Sequence, residues 1–182
     1  SGYTRLDGGN LSRVLICSNN ETRETVFQDL VIVNGSANGG AGMFNFNSSP
    51  TLINCTFKDN HAYATDNGGG ALLNFGASAP KLINCRFENN SAAMWGGAVM
   101  NWQDDTAPLA PEYLYCEFTG NQANFGGAVT NSSSDPGFTT CSFIGNTASE
   151  NGGGIYNVLS DPYFFEDPLP PYSGCLFTLN QS

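Results

Sequence analysis

Basic residues are scarce in this sequence. Six Lys and Arg stand against 16 Asp and Glu in 182 residues, which gives a net charge of −10 at neutral pH. Nucleic acids and anionic membrane surfaces bind proteins through basic patches. We therefore expect no nucleic acid among the partners of this chain. The sequence also lacks any run of roughly 18 apolar residues, so we expect no segment that inserts into a membrane.

Histidine is almost absent, and the cysteines lack the spacing of metal ligands. His61 is the single histidine, and the six cysteines include no Cys-x-x-Cys pair. Because zinc and redox sites need ligands at such spacings, we expect neither a metal site nor a cofactor. His61 also has no Ser or Cys partner nearby in the sequence with which it could form a nucleophilic triad.

Apolar residues at helical spacing are missing as well, and two short signatures repeat instead. The first is Cys-x-Phe-x-x-Asn, and the second is Gly-Gly followed within a few residues by Asn. A repeat of this length indicates a solenoid, a propeller or an array, but the signatures of WD40 and leucine-rich repeats are absent. The Phe of the first signature recurs every 25 to 34 residues, at Phe57, Phe87, Phe118, Phe143 and Phe177.

The residues around each repeated cysteine alternate in a way that is typical of short β-strands. Ile53, Cys55 and Phe57 are expected on one face, and each Gly-Gly segment is expected to lead into a second strand. Two or three short strands per unit suit one rung of a parallel β-helix, in which like residues stack. We predict an all-β, single-stranded parallel β-helix (solenoid) of about five to six rungs. The Phe and Cys columns are expected inside, and the Asn columns at the corners.

The cysteines allow two interpretations. Five of the six occupy the same repeat position, and Cys17 stands apart. Free cysteine packs as a small hydrophobic residue, which predicts a buried column of thiols. Disulfides between neighbouring rungs are also compatible with the separation of adjacent strands.

The repeats extend over most of the chain, and we predict a single β-helix domain over residues 1–182. Residues 1–30 lack the clear signatures and are interpreted as a diverged first rung or N-terminal edge, whereas 31–182 carry the clear repeats. Strands are predicted at 13–17 and 26–34. Because the signatures stop halfway through a rung, we expect the chain to be a fragment of a longer one.

Variable connectors follow the Gly-Gly strands and are expected to project from one side of the solenoid. Their aromatic and acidic side chains are candidate binding residues, as are two aromatic residues that precede Gly-Gly in neighbouring rungs and should stack. Exposed aromatic rows bind glycans or protein partners; alternatively, the connectors fold back over the rings and the carboxylates are solvated loop charges. The candidates are Trp95, Trp102, Asp104, Asp105, Phe125, and Tyr163 and Phe164 in the last connector.

The signatures Phe-x-x-Asn and Gly-Gly-Ala-x-x-Asn resemble those of the chlamydial polymorphic outer membrane proteins. Ser-Ser-Pro-Thr-Leu-Ile-Asn-Cys-Thr-Phe (48–57) and Gly-Gly-Gly-Ile-Tyr-Asn (152–157) are similar to right-handed parallel β-helix repeats of secreted surface proteins of Bacteroidota. The resemblance covers residues 31–182. It implies a right-handed β-helix displayed at the bacterial cell surface, extracellular or associated with the outer membrane, with adhesion or scaffold roles.

Three functions remain open at this point, because one scaffold serves many functions. The first is a non-enzymatic, adhesin-like display scaffold or assembly component, with other proteins or surface glycans as partners. The second is a carbohydrate-active enzyme, a polysaccharide lyase or hydrolase, that uses carboxylates in the connectors. The third is a cargo or subunit of a larger surface or secretion assembly. The acidic cluster and catalytic basic residue of pectate lyases are not found, and we expect no enzymatic activity.

Overall fold

The computed structural model describes residues 2–103, 110–165 and 174–182. Short β-strands separated by turns make up this part of the chain, and no helix is found in it. Among the same residues there is consequently no helix with the length and hydrophobicity to cross a membrane.

The strands follow one another in turns of three or four. The first turn contains β1 (Thr4–Asp7), β2 (Leu15–Cys17) and β3 (Val26–Gln28). The second contains β4 (Leu30–Val33), β5 (Ser36–Ala37), β6 (Met43–Phe46) and β7 (Thr51–Ile53), and the third β8 (Thr56–Lys58), β9 (His61–Ala62), β10 (Leu72–Phe75) and β11 (Lys81–Ile83). The fourth contains β12 (Arg86–Glu88), β13 (Ser91–Ala92), β14 (Val99–Trp102) and β15 (Glu112–Leu114), and the fifth β16 (Glu117–Thr119), β17 (Gln122–Phe125), β18 (Val129–Ser132) and β19 (Gly137–Thr139). The sixth contains β20 (Ser142–Ile144), β21 (Thr147–Asn151), β22 (Ile155–Val158) and β23 (Tyr163–Phe165), and β24 (Leu176–Thr178) begins the next.

Successive turns stack in register and form four parallel sheets. Sheet A has the order β1-β4-β8-β12-β16-β20-β24, sheet B β2-β6-β10-β14-β18-β22, sheet C β3-β7-β11-β15-β19-β23, and sheet D β5-β9-β13-β17-β21. The prediction of a parallel β-solenoid is therefore confirmed. The expected two or three strands per turn was too low, because most strands of sheet D have only two residues, too few for an alternating pattern.

The N-terminal residues that lack the signatures also join the stack. β1 pairs with β4, β2 with β6 and β3 with β7. The predicted strand over residues 26–34 is in fact two strands, because Asp29 between them has a φ of 55° and turns the chain. That corner separates sheet C from sheet A.

The interior contains columns of identical side chains, as the repeat predicted. Phe57, Phe87, Phe118 and Phe143 are fully buried, and their rings stack at centroid distances of 5.1, 4.8 and 4.7 Å. Stacked aromatic pairs each contribute about 1 kcal/mol beyond the burial of their area. The Phe column therefore fixes the register of sheet A, since a one-residue slip would turn every ring towards solvent.

Two columns of asparagine form hydrogen-bonded ladders inside the solenoid. In sheet B each side-chain amide donates to the amide of the next turn, as in Asn74 Nδ2 to Asn101 Oδ1 at 2.8 Å. The prediction that this column lies at a corner was wrong: Asn74 and Asn101 lie within strands and are fully buried. The other column does lie at a corner, where Asn90 Nδ2 donates to Asn121 Oδ1 at 3.0 Å.

The two glycines of each Gly-Gly signature have different roles. Gly96 has a φ of 58°, a left-handed conformation that glycine adopts without strain. Gly97 follows it, and a Cβ added there would clash with the backbone oxygen of Gly127 in the next turn. The first glycine thus makes the turn, and the second permits the close approach of neighbouring turns just before sheet B.

Candidate functional site

The outer face of sheet B carries an exposed aromatic row. Along each of its strands side chains alternate between interior and solvent, so the residue after the ladder asparagine points outward. Phe46, Phe75 and Trp102 occupy this position in register. Their ring centroids are 5.9 and 5.1 Å apart, and Phe46 and Trp102 are 40% and 37% exposed. Part of each of these two rings is therefore open to solvent.

A second aromatic group lies where sheet D approaches sheet B. Trp95 and Phe125 stack at a centroid distance of 4.7 Å, which confirms the prediction that they are neighbours. Tyr156 from the outer face of β22 joins them, at 5.2 Å from Phe125. All three rings are half-buried. They form a ridge, here called the Trp95 ridge, that runs along the axis of the solenoid.

A groove of about 230 Å³ lies between the Trp95 ridge and Trp102. Met100 and Thr130 are almost fully buried and form its floor. The Oγ1 of Thr130 donates to the carbonyl oxygen of Phe125 at 2.8 Å, which fixes the floor to the ridge. The complete lining is Asp66, Trp95, Met100, Trp102, Thr130, Ser132 and Val158.

Few polar groups line the groove, and the charged one among the described residues is a carboxylate. Asp66 is exposed and Ser132 is half-buried. Of the described lining residues, Asp66 alone carries a charge, and none is basic. The groove therefore offers flat apolar walls, one hydroxyl group at Ser132 and one carboxylate.

The prediction placed Tyr163 and Phe164 in a loop, and it was wrong: both residues lie on strand β23. Phe164 lies in register with Phe138, and their rings are 5.5 Å apart. It belongs to an interior column and is nevertheless 46% exposed, because β23 is the edge strand of sheet C. Tyr163 lies on the outer face of the same strand, far along the chain from the aromatic row of sheet B. The sequence missed this strand because aromatic residues of an isolated three-residue segment show no clear alternation.

The predicted acidic candidates of the connectors lie partly outside the described residues. Asp104 and Asp105 fall in the undescribed segment 104–109. In the next connectors, the backbone N–H of Asp161 donates to Oδ1 of Asp135 at 2.6 Å, which is a turn contact between rungs. Within the described ranges, no group of three His, Cys, Asp or Glu side chains is arranged to hold a metal ion.

The cysteines are free thiols, which settles the alternative left open above in favour of the thiol column. Their sulfur atoms contact carbonyl oxygens of the preceding turn, as in Cys85 Sγ to Leu52 O at 3.6 Å. Burial raises the pKa of Cys116 well above its usual value. The thiol of Cys17 likewise has a pKa raised to about 11, first by burial and then by the charge of Glu21. The direction alternates along the column, because hydrogen bonds from the thiols of neighbouring turns lower the pKa of Cys85 and Cys141. Both sulfur atoms are nevertheless buried, so reagents and metal ions cannot reach them.

His61 has a partner that its local sequence did not reveal. Its Nδ1 lies 2.9 Å from Oγ of Ser91, which is one turn further along sheet D. His61 is exposed on a flat sheet face, where nothing would shield a reacting group from water. The contact is therefore a surface pairing between turns. Tyr156 and Asp66 were missed for the same reason, because only the register shows which turns face one another.

These stacked parallel sheets define a β-solenoid protein. The chain belongs to the right-handed β-helix family, since the family model described as "Right handed beta helix region" matches residues 8–167. A comparison with curated proteins finds no match, and neither does a comparison with solved structures. The family match agrees with the predicted fold and carries no information on activity.

Proposed function

We propose that this chain is a non-enzymatic, adhesin-like binding scaffold at the bacterial cell surface, and that the outer face of sheet B recognises surface glycans. The observation that carries the proposal is the row of rings at Phe46, Phe75 and Trp102, in which Phe46 and Trp102 are exposed and Phe75 is half-buried. Such rings stack on the apolar faces of sugars, and exposed apolar patches on a soluble surface mark binding sites.

The rigidity of the support favours recognition of a repeating ligand. The rings are held by strands that pair in register over successive turns. Adjacent parallel strands lie about 4.8 Å apart, so the positions that carry the rings repeat at a constant interval along the axis. A linear polysaccharide also presents like groups at a constant interval, and a preorganised row binds it with little loss of conformational entropy.

The resemblance of the signatures supports the same function. The signatures resemble those of polymorphic outer membrane proteins and Bacteroidota surface repeats, whose roles are adhesion and display. The net charge of −10 favours a partner that is not strongly acidic. Association with a larger surface assembly is compatible with this function, since an adhesin scaffold also serves as an assembly component.

A glycan array with the purified chain tests the proposal. We expect binding to a set of neutral glycans that is lost in Trp102→Ala. Val26→Ala is the matched control, because Val26 is exposed on the outer face of sheet C, away from the aromatic row. The proposal fails if no glycan binds, or if both variants bind the glycans as well as the unchanged chain does.

The same glycans decide between binding and catalysis. A carbohydrate-active enzyme needs two carboxylates or a carboxylate and a base around the bound sugar. Incubation of bound oligosaccharides with the chain, followed by mass spectrometry, should return them intact. Cleavage products that disappear in Asp66→Asn would instead favour the enzyme.

A further inference from the structure

We propose that the groove between the Trp95 ridge and Trp102 is a saccharide subsite that takes neutral or amino-bearing pyranose units and rejects uronic acids. This inference rests on the proposed glycan-binding function and specifies its ligand. The groove is distinct from the flat row at Phe46 and Phe75, because it has a floor and two walls.

The shape of the groove matches a chain of sugar rings that lies along the solenoid axis. Its lining comes from four successive turns: Asp66 before β10, Met100 and Trp102 on β14, Thr130 on β18, and Val158 on β22. Three steps between turns span roughly 14 Å. A ligand that follows the axis therefore contacts every lining turn, whereas one that lies across the strands contacts a single turn.

The size of the groove excludes a folded protein as its main occupant. Its volume of about 230 Å³ is smaller than the pockets that enclose drug-sized molecules, which start near roughly 300 Å³. A stable protein interface buries about 800 Å² on each partner. A groove of this size holds a small ring or two between Trp95 and Trp102.

The chemistry of the walls selects a pyranose among small rings. The indoles of Trp95 and Trp102 provide apolar faces for the C–H groups of a sugar, and Ser132 provides a hydroxyl group for its hydroxyls. The exposed carboxylate of Asp66 accepts hydrogen bonds from hydroxyl or ammonium groups of the ligand. A purely apolar ligand would offer no hydrogen-bond partner to the hydroxyl group of Ser132 or the carboxylate of Asp66.

Charge complementarity decides which sugars enter. Asp66 is the one charged residue among the described lining residues, and the whole chain carries a charge of −10. A uronate carboxylate would face Asp66 without any Lys or Arg to compensate. At the short separations of a bound ligand, one pair of like charges near the surface changes affinity by roughly fivefold or more.

Intrinsic fluorescence tests the subsite directly, because the chain has two tryptophans and both line this groove. The probes are oligomers of N-acetylglucosamine (neutral), of glucosamine (cationic) and of galacturonic acid (anionic). We expect the first two to shift or quench the tryptophan emission with saturation, and the third to leave it unchanged. Trp95→Phe and Trp102→Phe each keep an aromatic ring in the wall and remove one tryptophan, so they show which tryptophan gives the signal.

Asp66→Asn provides the discriminating variant, since Asp66 is exposed and its replacement leaves the core intact. We expect the ratio of the affinity for the cationic oligomer to that for the neutral oligomer to fall by roughly fivefold or more. The subsite is overturned if the unchanged chain binds galacturonate oligomers as tightly as the other two oligomers. It is also overturned if the affinity ratio is unchanged in Asp66→Asn. Array binding that is lost in Phe46→Ala, with no tryptophan signal from any oligomer, overturns the subsite and leaves the proposed function standing. The absence of all glycan binding overturns both.

Discussion

Cys17 lies in register with Asn45, and Oδ1 of Asn45 is buried without a hydrogen-bond partner. In every later turn the corresponding Oδ1 accepts from the side-chain amide of the turn before, as Asn74 Oδ1 does from Asn45 at 2.8 Å. The ladder of sheet B therefore starts with an acceptor that lacks its donor, because the residue below it is a cysteine.

Replacing that cysteine should extend the ladder. In Cys17→Asn the new Nδ2 can donate to Asn45 Oδ1, and we expect the free energy of unfolding to rise by about 1 kcal/mol. Chemical denaturation measures the change. Cys17→Ala serves as the control, because it removes the thiol without supplying a donor, and it should not stabilise the chain. A Cys17→Asn variant no more stable than Cys17→Ala would contradict the expected hydrogen bond.

Gly97 should tolerate no side chain. Alanine there would clash with the backbone oxygen of Gly127, and neither backbone can move without disturbing the paired sheets. We expect Gly97→Ala to lower the free energy of unfolding by at least ~2 kcal/mol. Gly145 is the matched control: its φ is 62°, but a Cβ there meets no atom within 4 Å, so Gly145→Ala should cost only about 1 kcal/mol of conformational strain. Similar losses in the two variants would argue against close packing of the turns.

The first strand should become sensitive to strong acid. The pKa of Asp7 is lowered to about 2, first by the backbone N–H of Gly9, then by the side chains of Asn34 and Arg5. Since the folded pKa is below the usual 3.8, the stabilising effect of Asp7 is complete above pH 3.8 and is lost as pH falls towards 2. NMR titration of the Asp7 carboxyl carbon measures the pKa directly. In Asp7→Asn, protection of β1 amides should become independent of pH in that range.

The buried thiols, Cys17 and those of the column, should be unreactive in the native state, because a reagent cannot reach them. The pKa of Cys17 is raised from 9.0 to about 11, so its neutral form is favoured by folding. Its contribution to stability is present below pH 9 and is lost as pH rises from 9 towards 11, where the unfolded chain releases the proton and the folded chain does not. At pH 8 we expect a thiol reagent to modify Cys175 first, because it is the least buried of the six cysteines, and the buried thiols only after denaturation. Rapid modification of Cys85 at pH 8 would contradict this order.

The sequence was most informative where one residue type recurs at the same place. The spacing of Phe57, Phe87 and Phe118 predicted the interior column, and the position of Trp95 and Phe125 before Gly-Gly predicted their stacking. In both cases the repeat itself gives the register. Nothing more than alignment of the units is needed to see which side chains are neighbours.

The sequence was least informative where neighbours belong to different parts of the repeat. Asp66 is brought to the groove beside Trp102 by residues 63–67, which lie between β9 and the Gly-Gly signature and do not themselves repeat. Asn74 was placed at a corner because asparagine tolerates the left-handed conformation that a sharp corner requires. The expected bonding between stacked amides is found, but it occurs within sheet B, and the sequence does not show on which part of the turn the column lies.

The amides of the sheet B ladder all point the same way, from Asn45 through Asn101 to Asn157. Aligned amides polarise one another, so their dipoles add along the axis of the solenoid, and each amide strengthens the hydrogen bond of the next turn.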